Sequence, residues 1–386
     1  MGKNIFGRQN NLENWMLKRP DSAFPSIPNG ETLPNKYKEL KDKISPLLES
    51  IKLGAMVSSI EEYKKPLQEA IESLDPDIKN NIEELKMKFY RQLNIVYLND
   101  HGTNHIKKVI SKTSDILQNF IRKEDMLTPY EAYLLLCAIQ LHDIGNIWGR
   151  DGHEKKISTV LNTHNYAGLI GDTPTKAIVF KIAEAHSGRI NDDKDTISFL
   201  SHTDTIYSEE IRTRLMAALL RFADELADDA SRADLIGIDM NNIPAESLIY
   251  HQYSKCLHSV MIKKNEVNKT FFIELKYAVD ADLVKKKYLK NGTEKFFLDE
   301  ILSRIKKVEQ ERRYCMHFFS QYIPLCETHV KIEFYKKGEQ YCSDTETIKY
   351  VLNESGYPSD EGIVINESNN TAELIIADLE KKGWEL

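Results

Sequence analysis

Apolar residues recur every three to four positions along most of the first 230 residues, which is the spacing of an amphipathic helix. Residues 1 to about 30 lack this spacing and contain Pro and Asn, so we expect an irregular arm there. From about Leu33 to Leu93 the spacing is clear, for example at Leu40 and Ile44, and it predicts an N-terminal helical region. The segment from about Ile95 to Asp229 continues in the same way and predicts a helical bundle.

Three helix starts in this half carry explicit sequence signals. Thr128-Pro129-Tyr130-Glu131 has the form of a capping box with Pro at the first helical position. Thr173-Pro174 repeats the combination of cap and Pro before an apolar run. Ser208-Glu209-Glu210 places acidic residues where they favour a helix N-terminus, so we expect a helix to begin there and to carry the apolar residues that follow.

After Asp234 the spacing changes to one that favours strands, with a long amphipathic helix between them. The order strand, strand, helix, strand predicts a small α+β domain, followed by a short tail of mixed structure. The predicted elements are strands at Ser259–Ile262 and Thr270–Leu275, a helix at about Phe297–Ile323, a strand at His329–Tyr335, a helix at Thr345–Glu354, a strand at Gly362–Ile365 and a helix at Thr371–Lys382.

These patterns predict a mainly α protein with a helical bundle at its centre and a smaller C-terminal α+β part. We expect four parts along the chain. They are an N-terminal arm with helices at residues 1–95, the bundle at 96–235, the α+β domain at 236–340 and a small α/β tail at 341–386.

Composition excludes several classes of protein. With 386 residues and 41% hydrophobic content the chain can bury a sizeable core, and the lack of a long apolar run excludes a membrane span. The formal net charge of −7 argues against a surface that tracks a phosphate backbone throughout. The N-terminus has no signal-peptide pattern, and the five scattered cysteines favour a reducing compartment. We therefore expect a cytoplasmic protein without membrane partners.

The most informative residues are His142 and Asp143, which stand side by side where an apolar helix, Ala132 to Leu141, meets the turn Ile144-Gly145. An imidazole and a carboxylate at the end of a buried helix are costly to desolvate unless they have a partner. A divalent cation is a suitable partner, because neutral imidazole nitrogen and carboxylate oxygen are both ligands for first-row metals. This pair therefore predicts a metal site.

Further candidate ligands lie on neighbouring predicted helices. His105 is near a helix start, His153 follows the turn, His186 ends a helix, and Asp224 interrupts an apolar run. Taken singly, each histidine could be a helix cap or a hydrogen-bonded core residue, and Asp224 could pair with an arginine, Arg221 or Arg232. Together they form an ordered set that favours a shared metal site. His101 is an alternative to His105 as the first ligand, although a hydrophobic helix follows His105 directly. His164 and His202 are expected on the surface.

The sequence here resembles the HD-domain metal-dependent phosphohydrolases over roughly residues 96 to 235. The matching segments are the helix start Asn104-His105-Ile106-Lys107-Lys108-Val109, the motif Leu141-His142-Asp143-Ile144-Gly145 and the run Leu219-Leu220-Arg221-Phe222-Ala223-Asp224-Glu225-Leu226. The resemblance implies an HD-type bundle in which His105, His142, Asp143 and Asp224 hold one metal ion.

Members of this superfamily with extra histidines, such as the HD-GYP phosphodiesterases and the CRISPR-associated HD nucleases, hold a second metal ion. His153 and His186 occupy comparable places, so the resemblance implies a binuclear site bridged by Asp143. The chain departs from two branches at Asn146, where the deoxynucleotide triphosphohydrolases usually have His and the HD-GYP proteins have Lys. The branch therefore does not identify the substrate.

The expected chemistry follows from this ligand set. One or two divalent ions (Mn, Fe, Ni, Co, Zn or Mg) would lower the pKa of a bound water and neutralise charge on a phosphoryl oxygen. Besides Asp143, we expect catalytic roles for Arg150, as a phosphate clamp, and for Glu154, as a general acid or an orienter of a ligand histidine. Asn146 and Asp228 are candidates for supporting contacts. The cationic runs Lys285-Lys286-Lys287 and Arg312-Arg313 are interpreted as solvated faces.

The leading hypothesis is a metal-dependent phosphohydrolase, an enzyme of the HD superfamily that acts on a nucleotide or another phosphorylated small molecule. One alternative is an HD-type nuclease on single-stranded DNA or RNA, which the acidic net charge and the lack of a stripe of aromatic and basic residues disfavour. Another is a non-catalytic HD regulatory or interaction module. The C-terminal part could hold a protein partner or a second copy of the chain. The sequence identifies neither the substrate nor the native metal.

Overall fold

A computed structural model of the chain describes residue 6 and residues 11–27, 31–62, 97–336, 339–340, 347–353, 370–384 and 386. Within these residues the chain is mainly helical, and its strands form one mixed sheet and two short hairpins. Among the helices that the structure describes, none combines the length and the apolar character that a membrane crossing requires. The boundaries of the four predicted parts stay a prediction.

The N-terminal segment is more regular than we expected. Helix α1 covers Leu12–Leu17 and is capped by the side chain of Asn11, which accepts hydrogen bonds from the backbone N–H groups of residues 13 and 14. Leu12 and Met16 on this helix are fully buried, so the expectation of an irregular arm is wrong in this part. Helix α2 follows at Leu33–Glu62, and the rest of the predicted helical stretch to Leu93 lies outside the described residues.

The segment from about Ile95 to Asp229 is mainly helical, as predicted. Helix α4 (Pro129–Leu141) begins with the predicted capping box: the hydroxyl of Thr128 accepts from the backbone N–H of Glu131, and the carboxylate of Glu131 accepts from the backbone N–H of Thr128. Nearly every residue of this helix is buried, which explains its continuous apolar pattern. The helices of this region are α3 (Thr103–Gln118), α4 (Pro129–Leu141), α5 (Ile157–Thr163), α6 (Thr173–Glu184) and α7 (Thr213–Leu226).

One predicted helix start is wrong. Ser208-Glu209-Glu210 does not open a helix but belongs to a hairpin of strands β1 (Asp204–Ile206) and β2 (Glu209–Ile211), and α7 begins only at Thr213. The cause is the backbone of Tyr207 and Ser208, whose φ angles of 53° and 65° are those of a tight turn between two strands. The acidic residues that suggested a helix start are strand residues here.

Helices α4 and α7 run in the same direction and are joined at their N-terminal ends by an ion pair between the buried Glu131 and the partly buried Arg212. The carboxylate of Glu131 accepts hydrogen bonds from Nε and Nη2 of Arg212 at 2.9 and 2.6 Å. It also accepts from the backbone N–H of Arg212 at 3.0 Å. The C-terminal ends of the same two helices carry His142, Asp143 and Asp224, so this ion pair sets the relative position of the elements that hold the candidate ligands.

The C-terminal half contains the two predicted strands, the long helix and the third strand in the predicted order, but a short helix and a two-stranded hairpin that were not predicted lie between the second strand and the long helix. Strand β4 (Phe271–Asp280) pairs antiparallel with β3 (Leu257–Lys264) and parallel with β7 (Leu325–Lys336), and the long helix α11 (Phe297–Phe319) precedes β7 in the connection between the two parallel strands. The short strand β8 pairs with the end of β7. The elements are α8 (Leu235–Asp239), α9 (Ala245–Cys256), β3 (Leu257–Lys264), β4 (Phe271–Asp280), α10 (Ala281–Val284), β5 (Lys287–Lys290), β6 (Thr293–Phe296), α11 (Phe297–Phe319), β7 (Leu325–Lys336) and β8 (Glu339–Gln340).

The tail corrects one prediction and confirms another. The predicted helix Thr345–Glu354 is wrong, because residues Ile348–Asn353 form strand β9, antiparallel to β7. Its side chains alternate between the core and the outside, with Tyr350 and Leu352 buried, which is the period of a strand. The final helix α12 covers Ala372–Lys381 and is confirmed, and the predicted strand Gly362–Ile365 lies outside the described residues.

Helix α11 is fixed to both halves by buried charges. The guanidinium of Arg312 donates to both carboxylate oxygens of Glu309 and to a backbone carbonyl of β7. Arg221 on α7 pairs with Glu311 at 2.7 Å. Arg312 is only 2% exposed, so the interpretation of Arg312-Arg313 as a solvated face is wrong for Arg312. These contacts position the C-terminal unit against the helices that carry the candidate ligands.

Candidate metal centre

Six candidate ligands predicted from the sequence meet at one place in the fold, although they come from well-separated parts of the chain. The side chain of His105 points inward from the first turn of α3, and Asp224 lies in the last turn of α7. The remaining members come from turns: His142 and Asp143 directly after α4, His153 at the start of a 3-10 turn, and His186 just after α6. Their ligand atoms form two groups within which all atoms lie within 4.8 Å of one another.

Gly145 permits the close packing of two of these turns. A Cβ atom at this position would lie 1.9 Å from the carbonyl oxygen of His153, so any other residue would push the two turns apart. The glycine of the His142-Asp143-Ile144-Gly145 motif is therefore required by the approach of His153 to Asp143.

The first group consists of His105, His142, Asp143 and Asp224. Nε2 of His105 lies 3.0 Å from Oδ1 of Asp224 and 3.6 Å from Oδ2 of Asp143. Nε2 of His142 lies 3.3 Å from Oδ2 of Asp143 and 3.6 Å from Oδ1 of Asp224. Two imidazoles and two carboxylates thus face one small volume, and three of the four side chains are buried.

The second group consists of Asp143, His153 and His186. Nε2 of His153 lies 3.2 Å from Oδ1 of Asp143, and Nε2 of His186 lies 3.8 Å from the same oxygen. Oδ1 of Asp143 therefore faces the second group while its Oδ2 faces the first. A carboxylate in this position can bridge two cations.

Hydrogen bonds orient three of the histidines for metal binding. His142, His153 and His186 each place Nδ1 within 2.6–3.0 Å of the backbone carbonyl three residues earlier. With the proton on Nδ1, the lone pair of Nε2 points toward the carboxylates, as in most protein-bound metal sites.

The cluster contains buried nitrogen atoms that protein groups do not satisfy. Nε2 of His105 and Nε2 of His142 have no hydrogen-bond partner within the part of the chain that the structure describes, although carboxylate oxygens lie within 3.0–3.3 Å at unsuitable angles. Unsatisfied buried polar atoms are costly, and a cation bound between the four side chains would satisfy them. The residues present therefore fit one or two divalent metal ions.

Burial and neighbouring charges together shift the pKa values of several histidines and of both aspartates in the cluster. Burial alone would lower the pKa of His142, but the carboxylates of Asp143 and Asp224 raise it to about 10. Burial would raise the pKa values of both aspartates, yet the surrounding histidines hold them well below the ordinary range. Burial lowers the pKa of His186 to about 3, with the positive charge of His142 acting in the same direction.

His101 lies beside the cluster as well, at the side that opens to solvent. Its Nδ1 is 2.7 Å from Oδ2 of Asp143, and Nη2 of Arg232 lies 3.1 Å from the same nitrogen. Burial lowers the pKa of His101 to about 3. The sequence offered His101 only as an alternative to His105, and the structure places both within reach of Asp143. From the sequence, Arg232 is a possible partner of Asp224, and no local signal places it beside His101.

The other residues singled out from the sequence lie at the edge of the cluster or away from it. Nη1 of Arg150 lies 3.2 Å from the amide oxygen of Asn146 and 3.6 Å from Asp143, with its side chain 46% exposed. The amide of Asn146 donates to Oδ1 of Asp143 at 2.8 Å. Glu154 is buried, 3.4 Å from Nδ1 of His153, on the edge of that ring away from Asp143. His164 and His202 are exposed, as predicted.

A cavity of about 690 Å³ opens onto Asp143 and Asp224. His101, Arg150 and Arg232 line its inner end, while its far wall comes from α9 and α11 of the C-terminal half. Every lining residue falls between Tyr97 and Lys307. The site is thus open to a small molecule and is built from both halves of the chain.

Comparison with known proteins agrees with this geometry. None of the curated proteins and none of the solved structures matches the chain. The family model HD-CE matches residues 96–307, which is more than half of the chain and includes all of the residues that line the cavity. The chain therefore belongs to the HD-CE family, and its domain is of the HD type.

Proposed function

We propose that this protein is a metal-dependent phosphohydrolase that cleaves a phosphoester or phosphoanhydride bond of a nucleotide-type substrate. The observation that carries the proposal is the position of Asp143, whose two oxygens face two separate groups of ligands at the end of an open cavity. A structural metal site would be closed, whereas a catalytic site leaves room for water and substrate.

Two groups of residues would hold the cations. His105, His142, Asp143 and Asp224 supply the first position, and Asp143, His153 and His186 supply the second. Divalent ions bound there would activate water for attack and neutralise charge on a phosphoryl oxygen. The mixture of nitrogen and oxygen ligands suits Mn, Fe, Ni, Co or Zn, with Mg as a further candidate.

Other side chains would bind the phosphate of the substrate or orient the metal ligands. Arg150 and Arg232 lie at the inner end of the cavity, where guanidinium groups can bind a phosphate with two parallel hydrogen bonds. Asn146 holds Oδ1 of Asp143 in place. Glu154 lies against the Nδ1 edge of His153 and does not line the cavity, so it acts as a positioning residue for this histidine rather than as a general acid.

The decisive experiment combines metal analysis with a hydrolysis assay. The purified protein is analysed for bound metals and incubated with a panel of nucleotides in Mn²⁺ or Mg²⁺. We expect one or two metal ions per chain and metal-dependent release of phosphate or nucleoside. Asp143→Ala should lose both bound metal and turnover while its circular dichroism spectrum stays folded, and the exposed His164→Ala should behave like the wild type. Full activity of Asp143→Ala would falsify the assignment.

The same assay separates the alternatives. Shortening of a labelled single-stranded oligonucleotide without turnover of nucleotides would favour an HD-type nuclease. Bound metal without hydrolysis of either class would favour a non-catalytic HD module.

A further inference from the structure

The far wall of the cavity offers a surface that the proposed hydrolysis does not itself require. It is formed by Tyr250 and Tyr253 of α9 and by Arg304 and Lys307 of α11. None of these residues belongs to the candidate metal ligands. Because the wall faces the inner end across a cavity of about 690 Å³, a substrate whose phosphate lies at Asp143 would place its other end against this wall.

The cations of the far wall are already paired with carboxylates. Arg304 donates to Glu300 at 2.9 Å, and Lys307 donates to Glu225 at 2.6 Å. Apart from Asp143 and Asp224, four basic and four acidic residues line the cavity, so its walls carry no excess of positive charge. A chain of several phosphates would need unpaired arginines or lysines along its path. The two guanidinium groups at the metal end also have partners, since Arg150 donates to the amide oxygen of Asn146 and Arg232 donates to the backbone oxygen of Asp100.

The far wall also contains a planar platform. The guanidinium carbon of Arg304 lies 5.3 Å from the ring centre of Tyr250 and 5.2 Å from that of Tyr253. The side chain of Arg304 is 25% exposed, so one part of it remains available to the cavity. Guanidinium planes and aromatic rings bind the face of a nucleobase by stacking.

An acceptor without a partner lies beside this platform. Asn99 lines the cavity and donates its amide to the hydroxyl of Ser254 at 2.7 Å, which fixes the orientation of the side chain. Its oxygen Oδ1 is buried and has no hydrogen-bond partner in the described part of the chain. An N–H or O–H group of a bound molecule would satisfy this atom. Asp228 adds a second acceptor in the same cavity.

Resting on the proposed function, we infer that the far wall is a specificity subsite for the planar base of a nucleoside carrying a single phosphate group, as a monoester or a diester. The phosphate lies at the metal end near Arg150 and Arg232, the base stacks on Arg304, and Asn99 accepts a hydrogen bond from the substrate. Nucleoside triphosphates are disfavoured because each of the four basic residues that line the cavity already has a hydrogen-bond partner, which leaves no unpaired cation for additional phosphates. This inference gives the C-terminal half a role in substrate selection.

The test compares AMP, cyclic AMP, ATP and ribose 5-phosphate as substrates of the metal-loaded protein. We expect kcat/KM for AMP or cyclic AMP to exceed that for ATP by about tenfold or more. Arg304→Lys retains a cation for Glu300 but loses the planar platform. It should raise KM for the favoured nucleotide about tenfold, with little change in kcat and little change for ribose 5-phosphate, which has no base. Lys285→Ala, an exposed residue paired with Glu380, serves as the matched control.

Two results would overturn the inference: preference for ATP, or an equal effect of Arg304→Lys on substrates with and without a base. A second readout does not depend on turnover. Calorimetric binding of AMP and cyclic AMP is measured with wild type and with Arg304→Lys. If no compound is hydrolysed, the proposed function fails, yet weaker binding by the variant still supports the base subsite, and unchanged or absent binding refutes it.

Discussion

Asp143 is the residue on which the whole candidate centre depends. Its two oxygens contact histidines from four different parts of the chain, and Asn146 donates to one of them. A carboxylate this buried needs several donors or cations to stay charged, and the histidines hold its pKa well below the ordinary range. In the metal-free protein a neighbouring imidazole is therefore protonated, and a cation that binds there must displace this proton.

That proton is located on His142 and leads to a prediction about pH. The pKa of His142 is raised to about 10, above its ordinary value of 6.5, so its proton stabilises the metal-free fold fully below pH 6.5 and this contribution is lost as the pH rises toward 10. Metal binding requires the neutral imidazole. We expect about one proton to be released at pH 8 when Mn²⁺ binds at the first position, the one that contains His142, and the affinity of that position to rise about tenfold per pH unit between pH 7 and 8.5.

Calorimetric titration in two buffers with different ionisation enthalpies measures the released protons directly. His186→Ala provides the control, because burial lowers the pKa of His186 to about 3 and the imidazole is already neutral at pH 8. The variant should release the same number of protons at the remaining position. A binding heat that does not depend on the buffer would contradict the assignment of the proton to His142.

At the residue scale, sequence identified the side chains that could hold a metal but not the surface opposite them. His105, His142, Asp143 and Asp224 are recognisable because each is polar in an apolar segment of a known motif. Asn99 and Arg304 carry no such local signal. They face the cavity only because α9 and α11 fold back against the central helices, and that arrangement depends on contacts between residues more than 150 positions apart, such as Asn99 with Ser254.

At the scale of elements, the parallel arrangement of α4 and α7 sets the distance between Asp143 and Asp224. Glu131 is 1% exposed and accepts four hydrogen bonds from Arg212 and Thr128, so it joins the N-terminal ends of both helices. The ends that carry the ligands are separated from this ion pair by the full length of the helices. A change at Glu131 should therefore act on stability first.

We predict that Glu131→Gln lowers the free energy of unfolding by about 3 kcal/mol, because the substitution removes the buried carboxylate that pairs with the partly buried guanidinium of Arg212. Urea unfolding of the metal-free protein measures this loss. Lys181→Gln, which removes an ion pair with Asp204 at a side chain 44% exposed, should cost less than about 1 kcal/mol. Equal effects of the two substitutions would show that the Glu131 pair does not join the helices.

The helix and strand predictions succeeded where local residues decide the structure. The capping box at Thr128 and the final helix are examples, because the cap and the helical period lie within a few residues of each other. The hairpin at residues 204–211 was missed because acidic residues near an apolar run favour a helix start, and positive φ angles at Tyr207 and Ser208 are not apparent from the sequence. Strand β9 was missed because its alternation becomes clear only beside β7.

At the scale of the molecule, the family match and the lining of the cavity extend equally far past the last candidate ligand. The match ends at residue 307, and Lys307 is the last residue along the chain that lines the cavity. The unit from Tyr97 to Lys307 therefore contains the ligands, the cavity and the far wall. The strands β7 and β9 lie beyond this unit, and β7 supports α11 through hydrogen bonds with Arg312 and Glu309.

Because the ligands come from elements across this unit, a bound cation should stabilise the whole fold. A ligand that binds only the folded state at 100 times its dissociation constant adds about 2.7 kcal/mol to the free energy of unfolding. For a protein of this size we expect Tm to rise by several degrees in excess Mn²⁺ and to fall again with a chelator.

Differential scanning calorimetry of the wild type measures this shift in Tm. The variant Asp143→Asn should lose the shift in Mn²⁺ because the bridging charge is gone. Exposed His164 gives the control, since His164→Ala should shift as the wild type does. If Asp143→Asn responds to Mn²⁺ as strongly as the wild type, the cation that stabilises this protein binds somewhere other than the cluster around Asp143.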